Sequence, residues 1–246
     1  MLSNISKSVK NVLMHMANEF KQSDFEPAFC ELEISSEGQV PELRVTSNEG
    51  EIILSGKIDR VDTFKNAVRV IDYKTGKKSF ELSDILYGLN MQMLIYLYAV
   101  IKNGGEVLPN AEPAGILYMP ARSRSCDEKL VMNGRISDDP DIYTAMEKDN
   151  GGVFIPKLKK GTTSYISKDA FPLIFNHIEN LMCKMQEDIL KGEFLPNPTD
   201  TVKKNACTYC DFASICRKSD MEHIKPVQRS ADEVLEILKG EDSDEI

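Results

Sequence analysis

A predicted β-hairpin is the feature that most restricts what this chain can fold into. Two strand-forming runs, SGKID and AVRVIDYK, flank a turn-forming stretch at residues 63–66. A turn centred there places Asp59 opposite Val70, with Asp72 as a diagonal neighbour on the same face of the sheet. Lys74 lies two residues beyond Asp72 and projects from that face as well. The sequence therefore predicts two carboxylates and one ammonium group at the end of two paired strands.

Two carboxylates beside a lysine can hold a hard divalent cation next to a water nucleophile. Mg²⁺ or Mn²⁺ would relieve the repulsion between Asp59 and Asp72, and it would lower the pKa of a bound water. Lys74 would position that water or stabilise the charge that develops on a phosphate. Asp62 differs in parity from Asp59 and is predicted on the other face. Four apolar neighbours disfavour the alternative, an exposed hairpin with ion-paired surface acids: Ile58, Val61, Val70 and Ile71.

The rest of the chain combines helical and strand-forming patterns, which predicts an α/β fold. From Ala28 to Tyr73, short β-rich runs alternate with turn-forming stretches, and we expect an antiparallel meander there. The run AGILYMP predicts a further strand. The stretch 121–149 is polar and poorly patterned, and we expect an excursion or lid. Helices are predicted over residues 3–22, 83–101, 169–191 and the run ADEVLEILKG.

Length and charge set the class of protein. A chain of 246 residues with 41% hydrophobic residues can bury a full core. The first twenty residues hold no unbroken apolar run, so we expect a cytoplasmic protein. The net charge of −9 is concentrated in the acidic tail 231–246, and the grouped basic residues before it are either DNA-binding patches or solvated surface lysines. The candidates for DNA contact are Lys77, Lys78, Lys203 and Lys204.

Three cysteines near the end of the chain have the spacing C-x2-C-x5-C: Cys207, Cys210 and Cys216. Crowded thiols in a reducing compartment indicate a metal or cluster site rather than disulfides. A C-x2-C turn lets two thiolates chelate one centre, and the third can close over it. The fourth ligand stays open, and a structural zinc site completed by His223 is the alternative. Cys30 is predicted to be buried as a small apolar side chain.

The hairpin also resembles a known family. GKIDRVD followed by VIDYKTGKK is similar to two motifs of the RecB-like branch of the PD-(D/E)XK nucleases. The resemblance implies that Asp59, Asp72 and Lys74 are catalytic, with both acids and the Tyr73 carbonyl as metal ligands. It also implies a restriction-endonuclease-like core, with a small mixed sheet flanked by helices.

Two further elements support the resemblance. LNMQMLIYLYAV is similar to the QxxxY motif of that branch, which implies that Gln92 and Tyr96 are catalytic-site residues. Side chains four residues apart share one helix face, so both can point at the active site or the DNA strand. FEPAFCELEI resembles the F-x-P-x-x-x-E strand of the family, which implies that Glu31 is an accessory metal ligand.

Within that branch, residues 25 to 220 look most like the C-terminal part of the AddB family of ATP-dependent helicase/nuclease subunits, whose ATPase-like domains would precede Met1. The family implies an Mg²⁺- or Mn²⁺-dependent exonuclease acting on single-stranded DNA ends in double-strand-break repair and recombination. Its hetero-oligomer partner is the companion helicase/nuclease subunit of the same complex. The three C-terminal cysteines would hold a 4Fe–4S cluster in the full-length protein, which a shortened chain need not carry.

These expectations divide the chain into four parts. They are an N-terminal helix at 1–24, a nuclease core at 25–200, a cysteine segment at 201–220 and an acidic tail at 221–246. The rival hypothesis is a non-catalytic nuclease-like module that docks a partner or binds DNA. A degraded active site usually loses an acid or the lysine, yet Asp59, Asp72 and Lys74 are all present.

Overall fold

A six-stranded mixed sheet organises the chain in the computed structural model, with the strand order β1-β4-β5-β6-β7-β8. The β5–β6 and β7–β8 pairs are parallel, and the other three pairs are antiparallel. The strands are β1 (Glu26–Ile34), β2 (Leu43–Ser47), β3 (Gly50–Leu54), β4 (Gly56–Phe64), β5 (Ala67–Lys74), β6 (Glu112–Pro120), β7 (Asn133–Ser137) and β8 (Tyr165–Ile166). The structure describes residues 2–76, 78–122, 129–149, 151–157, 164–193, 197–199, 206–212, 214–216 and 224–240.

Helices pack on both faces of this sheet. The helices are α1 (Leu2–Gln22), α2 (Gln92–Asn103), α3 (Pro140–Met146), α4 (Ala170–Lys191) and α5 (Ala231–Gly240). One hydrophobic core joins α2, α4 and α5 to the face that carries Val68 and Val70. A second core joins α1 and α3 to the face that carries Ala67 and Ile71. This arrangement confirms the predicted mixed α/β fold with helices flanking a small sheet. None of the helices in the described ranges is long and apolar enough to cross a membrane.

The predicted meander between Ala28 and Tyr73 is wrong in its connections. β2 and β3 form a separate two-stranded sheet, and β1 pairs with β4 across this insertion. Leu43 and Val45 of β2 are buried in the core that contains α2 and α4. Because burial against those helices stabilises the hairpin outside the main sheet, strand order does not follow sequence order here.

The predicted helix over residues 83–101 is interrupted. A 3-10 helix spans Leu82–Tyr87, and Gly88 ends it in the left-handed conformation with φ 70°. Helix α2 then begins at Gln92. The helices expected over residues 3–22 and 169–191 and in ADEVLEILKG are present, as is the strand AGILYMP.

The stretch 121–149 is not a lid throughout, because residues 133–146 belong to the core. β7 pairs with β6 in the main sheet, and α3 follows it directly. Gly134 allows this close pairing, since a Cβ there would lie 1.9 Å from the Ile116 carbonyl oxygen. Asp139 caps α3 by accepting hydrogen bonds from two backbone N–H groups. The alternation of polar and apolar residues in NGRIS is short, which hides this strand from pattern analysis.

Candidate active site

Asp59 and Asp72 meet where the pairing of β4 and β5 ends. The pairs run from Phe64↔Ala67 to Arg60↔Ile71, so the next residue of each strand brings the two aspartates opposite one another. The Tyr73 backbone N–H donates a hydrogen bond of 2.9 Å to Asp59 Oδ2. The carboxylate thus receives a backbone donor of β5 just beyond the last strand pair, which fixes the Asp59 side chain beside Asp72.

The predicted register of the hairpin is wrong by two residues. Val61, not Asp59, lies opposite Val70. The turn consists of Lys65 and Asn66, and Lys65 has a left-handed φ of 54°. Side chains alternate with a period of two along a strand, so a shift of two residues keeps Asp59 on the same face.

Asp72 presents a buried oxygen that is available to a cation. Its exposed fraction is 8%, and Lys74 Nζ lies 2.6 Å from Oδ2 in an ion pair. Despite this close contact, Oδ2 accepts no hydrogen bond of normal geometry from the described residues. A buried carboxylate oxygen of this kind needs a compensating partner. The charge and position of the oxygen fit a divalent metal ion.

The metal site would use few protein ligands. In the part of the chain that the structure describes, no group of three or more His, Cys, Asp or Glu side chains could hold a metal. Asp59 and Asp72 would therefore be completed by water and by backbone oxygen, for which the Tyr73 carbonyl is the sequence-based candidate. This donor set fits Mg²⁺, which binds through one or two carboxylates and keeps several waters.

Glu31 lies beside the site but is engaged elsewhere. It has a left-handed φ of 56° within β1, and Lys57 Nζ lies 2.5 Å from its Oε2. The hydrogen bond and charge of Lys57 hold the pKa of Glu31 below its ordinary value. Lys57 is two residues from Asp59 on β4, and motif matching alone did not identify it. Cys30 is exposed, which corrects the predicted burial, because the first half of β1 is an uncovered edge strand.

Gln92 and Tyr96 share one face of α2, as their spacing predicts. Gln92 Nε2 donates a hydrogen bond of 3.2 Å to the Tyr96 hydroxyl. The Tyr96 ring packs against Gly56 at the start of β4, where a Cβ would lie 2.7 Å from Tyr96 Cε1. The glycine before Lys57 therefore lets α2 approach the strand that carries Asp59. The predicted residues are thus brought to the same end of the sheet.

Tyr118 is a site residue that the motifs did not reveal. It lies on β6 directly beside Asp72 in the parallel pair and is buried. Burial, together with the charge of Asp72, raises the pKa of Tyr118 to about 12. Lys74 Nζ lies 5.8 Å and Lys78 Nζ 5.6 Å from the centre of its ring. The one sequence signal is a tyrosine within an otherwise apolar strand, on the strand after the motif.

The other predicted contacts are placed only in part. Lys77, Lys203 and Lys204 lie outside the described residues, as do His223 and the acidic end 241–246. The Cys210 N–H donates a hydrogen bond of 3.3 Å to the Cys207 carbonyl oxygen, which forms the expected tight turn. The Cys216 N–H donates to the Phe212 carbonyl oxygen at 2.9 Å.

A buried cluster of four charged residues lies behind the site, between α1 and the sheet. It consists of Glu19, Arg60, Asp62 and Arg69. Asp62 accepts from Arg60 Nε at 2.7 Å and from Arg69 Nε at 2.9 Å, and all four side chains are at most 2% exposed. Burial alone would raise the pKa of Asp62, but the two guanidinium groups hold it below its ordinary value. Asp62 thus lies on the face opposite Asp59, as its parity predicts.

Comparisons with known proteins agree with this geometry. A family model described as the PD-(D/E)XK nuclease superfamily matches residues 4–217. The chain is 31% identical to the AddB-type subunit of the ATP-dependent helicase/deoxyribonuclease of Clostridium acetobutylicum, over 98% of this chain and 24% of that protein. It is 32% identical to the protein of the same name from Clostridium novyi, over 95% and 23%. The chain spans about a quarter of the length of the curated relatives it matches.

Proposed function

This chain belongs to the PD-(D/E)XK nuclease superfamily, and we propose that it is a metal-dependent deoxyribonuclease that digests single-stranded DNA from an end. One observation carries the proposal. Asp72 holds a buried, negatively charged oxygen without a normal hydrogen bond, next to Asp59 and within 2.6 Å of the Lys74 ammonium group. Two acids and a lysine in this arrangement suit the attack of water on a phosphodiester.

The side chains divide the work of hydrolysis. In the reaction, a water oxygen bonds to phosphorus while the bond to one sugar oxygen breaks, and negative charge grows on the phosphate oxygens. The hydrogen bond from the Tyr73 N–H keeps the Asp59 carboxylate aimed at the site. Lys74 is about one-third exposed, so its ammonium group can reach a phosphate or orient the water. A bound Mg²⁺ or Mn²⁺ would supply charge neutralisation and a lowered pKa for the bound water.

The names of the relatives suggest the setting. Each is named as one subunit of an ATP-dependent helicase/deoxyribonuclease. We therefore propose that the chain works with the companion helicase/nuclease subunit of such a complex, on strands that are unwound during double-strand-break repair and recombination. This assignment extends to the chain from proteins about four times as long.

The 246-residue protein is expected to shorten an end-labelled single-stranded oligonucleotide when Mg²⁺ is added, and to stop when EDTA removes the metal. Lys74→Met should lower the cleavage rate by about 10²-fold, because it removes the cation that faces the developing charge. Lys168→Met is the matched control, since Lys168 pairs with Glu112 at a partly exposed position away from the site. Gel analysis of the products gives the rates and the direction of digestion.

Two results would contradict this assignment. Equal loss of activity in the Lys74→Met and Lys168→Met proteins would mean that Lys74 has no specific role. DNA binding by the wild-type chain without any cleavage in Mg²⁺ or Mn²⁺ would favour the non-catalytic module.

We also propose that Cys207, Cys210 and Cys216 bind a 4Fe–4S cluster in the full-length protein. The tight turn at Cys207 and Cys210 supports this proposal, because it lets two thiolates face one centre. The fourth ligand is unassigned. Cys183 is a poor candidate, since its thiol lies 3.9 Å from the Thr46 carbonyl oxygen on β2.

Full-length protein purified without oxygen is expected to be brown, with broad visible absorption that dithionite bleaches. Cys210→Ser should abolish this absorption and the bound iron, whereas Cys183→Ser should keep both. Elemental analysis separates the alternatives. A colourless protein with one zinc ion per chain, lost in His223→Ala, would establish the zinc site instead.

A further inference from the structure

Lys78 is held beside the catalytic residues by two contacts. Its Nζ donates a hydrogen bond of 2.6 Å to Asn90 Oδ1. The same nitrogen lies 5.6 Å from the centre of the Tyr118 ring, which also carries Lys74 Nζ at 5.8 Å. Tyr118 is in turn the strand neighbour of Asp72. One aromatic ring therefore connects Lys78 to the lysine of the catalytic trio.

Asp84 fixes the direction in which Asn90 faces Lys78. An ionised carboxylate only accepts hydrogen bonds, so the Asn90 amide nitrogen must face Asp84 Oδ2. That orientation turns Asn90 Oδ1 toward Lys78. Asn90 also has a left-handed φ of 55°, which few residues other than glycine adopt without cost. A strained residue with both ends of its side chain engaged indicates a constraint that the fold maintains.

Both of these contacts are electrically neutral. The amide of Asn90 separates the ammonium group from the Asp84 carboxylate, so the lysine is positioned by a hydrogen bond that does not cancel its charge. The Tyr118 phenol stays protonated at neutral pH, because burial and the nearby Asp72 raise its pKa to about 12. Its ring attracts a cation through the electron-rich face. Neither contact reduces the attraction of Lys78 for an anion.

We propose that Lys78 binds the DNA phosphate next to the one that is cleaved, and that Asn90 and Tyr118 are its positioning residues. This inference rests on the proposed function, since it requires a DNA strand in the site. Lys74 serves the reacting phosphate, and Lys78 holds the neighbouring one so that the strand keeps its register. Lysine suits this role as a compact charge on a long stem.

The test measures the salt dependence of binding to a fluorescein-labelled single-stranded oligonucleotide by anisotropy in EDTA. Each lysine–phosphate contact contributes about 0.7 to the slope of log affinity against log salt for a single strand. Lys78→Gln should lower the slope by about 0.7, and Lys168→Gln should leave it unchanged. Asn90→Gly removes the amide and suits the left-handed backbone, so it should weaken binding without unfolding the protein. Tyr118→Phe keeps the ring and should match the wild type, whereas Tyr118→Leu should not.

Cleavage kinetics in Mg²⁺ provide a second measurement. Lys78→Gln and Asn90→Gly should raise KM about ten-fold with little change in kcat, because the contact is made equally before and during the reaction. An unchanged slope and KM in Lys78→Gln, with normal cleavage by the wild type, would overturn this inference and leave the proposed function standing. A lowered slope with no cleavage by the wild type would do the reverse. Absence of DNA binding by the wild type would overturn both.

Discussion

Replacing Asp72 with asparagine is expected to lower DNA cleavage by about 10³-fold, the effect of removing one preorganised charge-stabilising group from an active site. Asparagine keeps the size of the side chain but removes the negative charge that a metal ion needs. Asp72 is nearly buried, and its Oδ2 faces Lys74 rather than a hydrogen-bond donor of normal geometry. The loss should therefore appear in kcat, measured with saturating single-stranded DNA and Mg²⁺.

Asp169→Asn is the matched control for this substitution. Asp169 precedes α4, is exposed, and makes no capping hydrogen bond with its side chain. Its replacement should leave cleavage unchanged. Thermal unfolding of both variants should stay close to that of the wild type, which separates a chemical defect from a folding defect. Retention of more than about a tenth of the activity in Asp72→Asn would sink the assignment of this carboxylate as a metal ligand.

Breaking the buried cluster behind the site should give the largest loss of stability. Asp62→Ala is expected to lower the free energy of unfolding by about 3–5 kcal/mol, because it leaves Arg60 and Arg69 buried without their shared carboxylate. Helix α1 is joined to the sheet through Glu19 in the same cluster. Urea unfolding, followed by circular dichroism, measures the change.

A partly exposed ion pair provides the comparison for Asp62→Ala. Asp24 pairs with Lys148 at 2.6 Å, and both side chains are 47% exposed, so Asp24→Ala should cost less than about 1 kcal/mol. The effect of Asp62 should also depend on pH. Its pKa is lowered in the folded protein, so its contribution is present above about pH 4 and is lost as the pH falls further. Similar losses for the two variants would show that the buried cluster is not a special source of stability.

The location of Asp59 and Asp72 on one face could be predicted because the argument depends on parity. An error of one residue in the hairpin turn changed the register by two, and the period of a strand is also two. The helix face shared by Gln92 and Tyr96 was predictable for the same reason, since it depends on local spacing. Local geometry of this kind survives errors in turns and connections.

Residues that come from distant parts of the chain were not predictable in this way. Tyr118 adjoins Asp72 only because β6 pairs with β5 in parallel after the intervening α2. Glu31 meets Lys57 because β1 skips the β2–β3 hairpin and pairs with β4. Strand order depends on which faces can be buried together, and a pattern within one segment does not contain that information.

The sequence by itself therefore determined the catalytic trio, the helix motif and the class of fold, because these follow from spacing, side-chain chemistry and resemblance. Only the tertiary structure decided what surrounds the trio. It placed Tyr118 beneath two lysines, turned Asn90 between Asp84 and Lys78, and buried Asp62 between two arginines on the opposite face. The physical reason is that charge, burial and hydrogen-bond direction depend on neighbours from other elements, which come together only when the core forms.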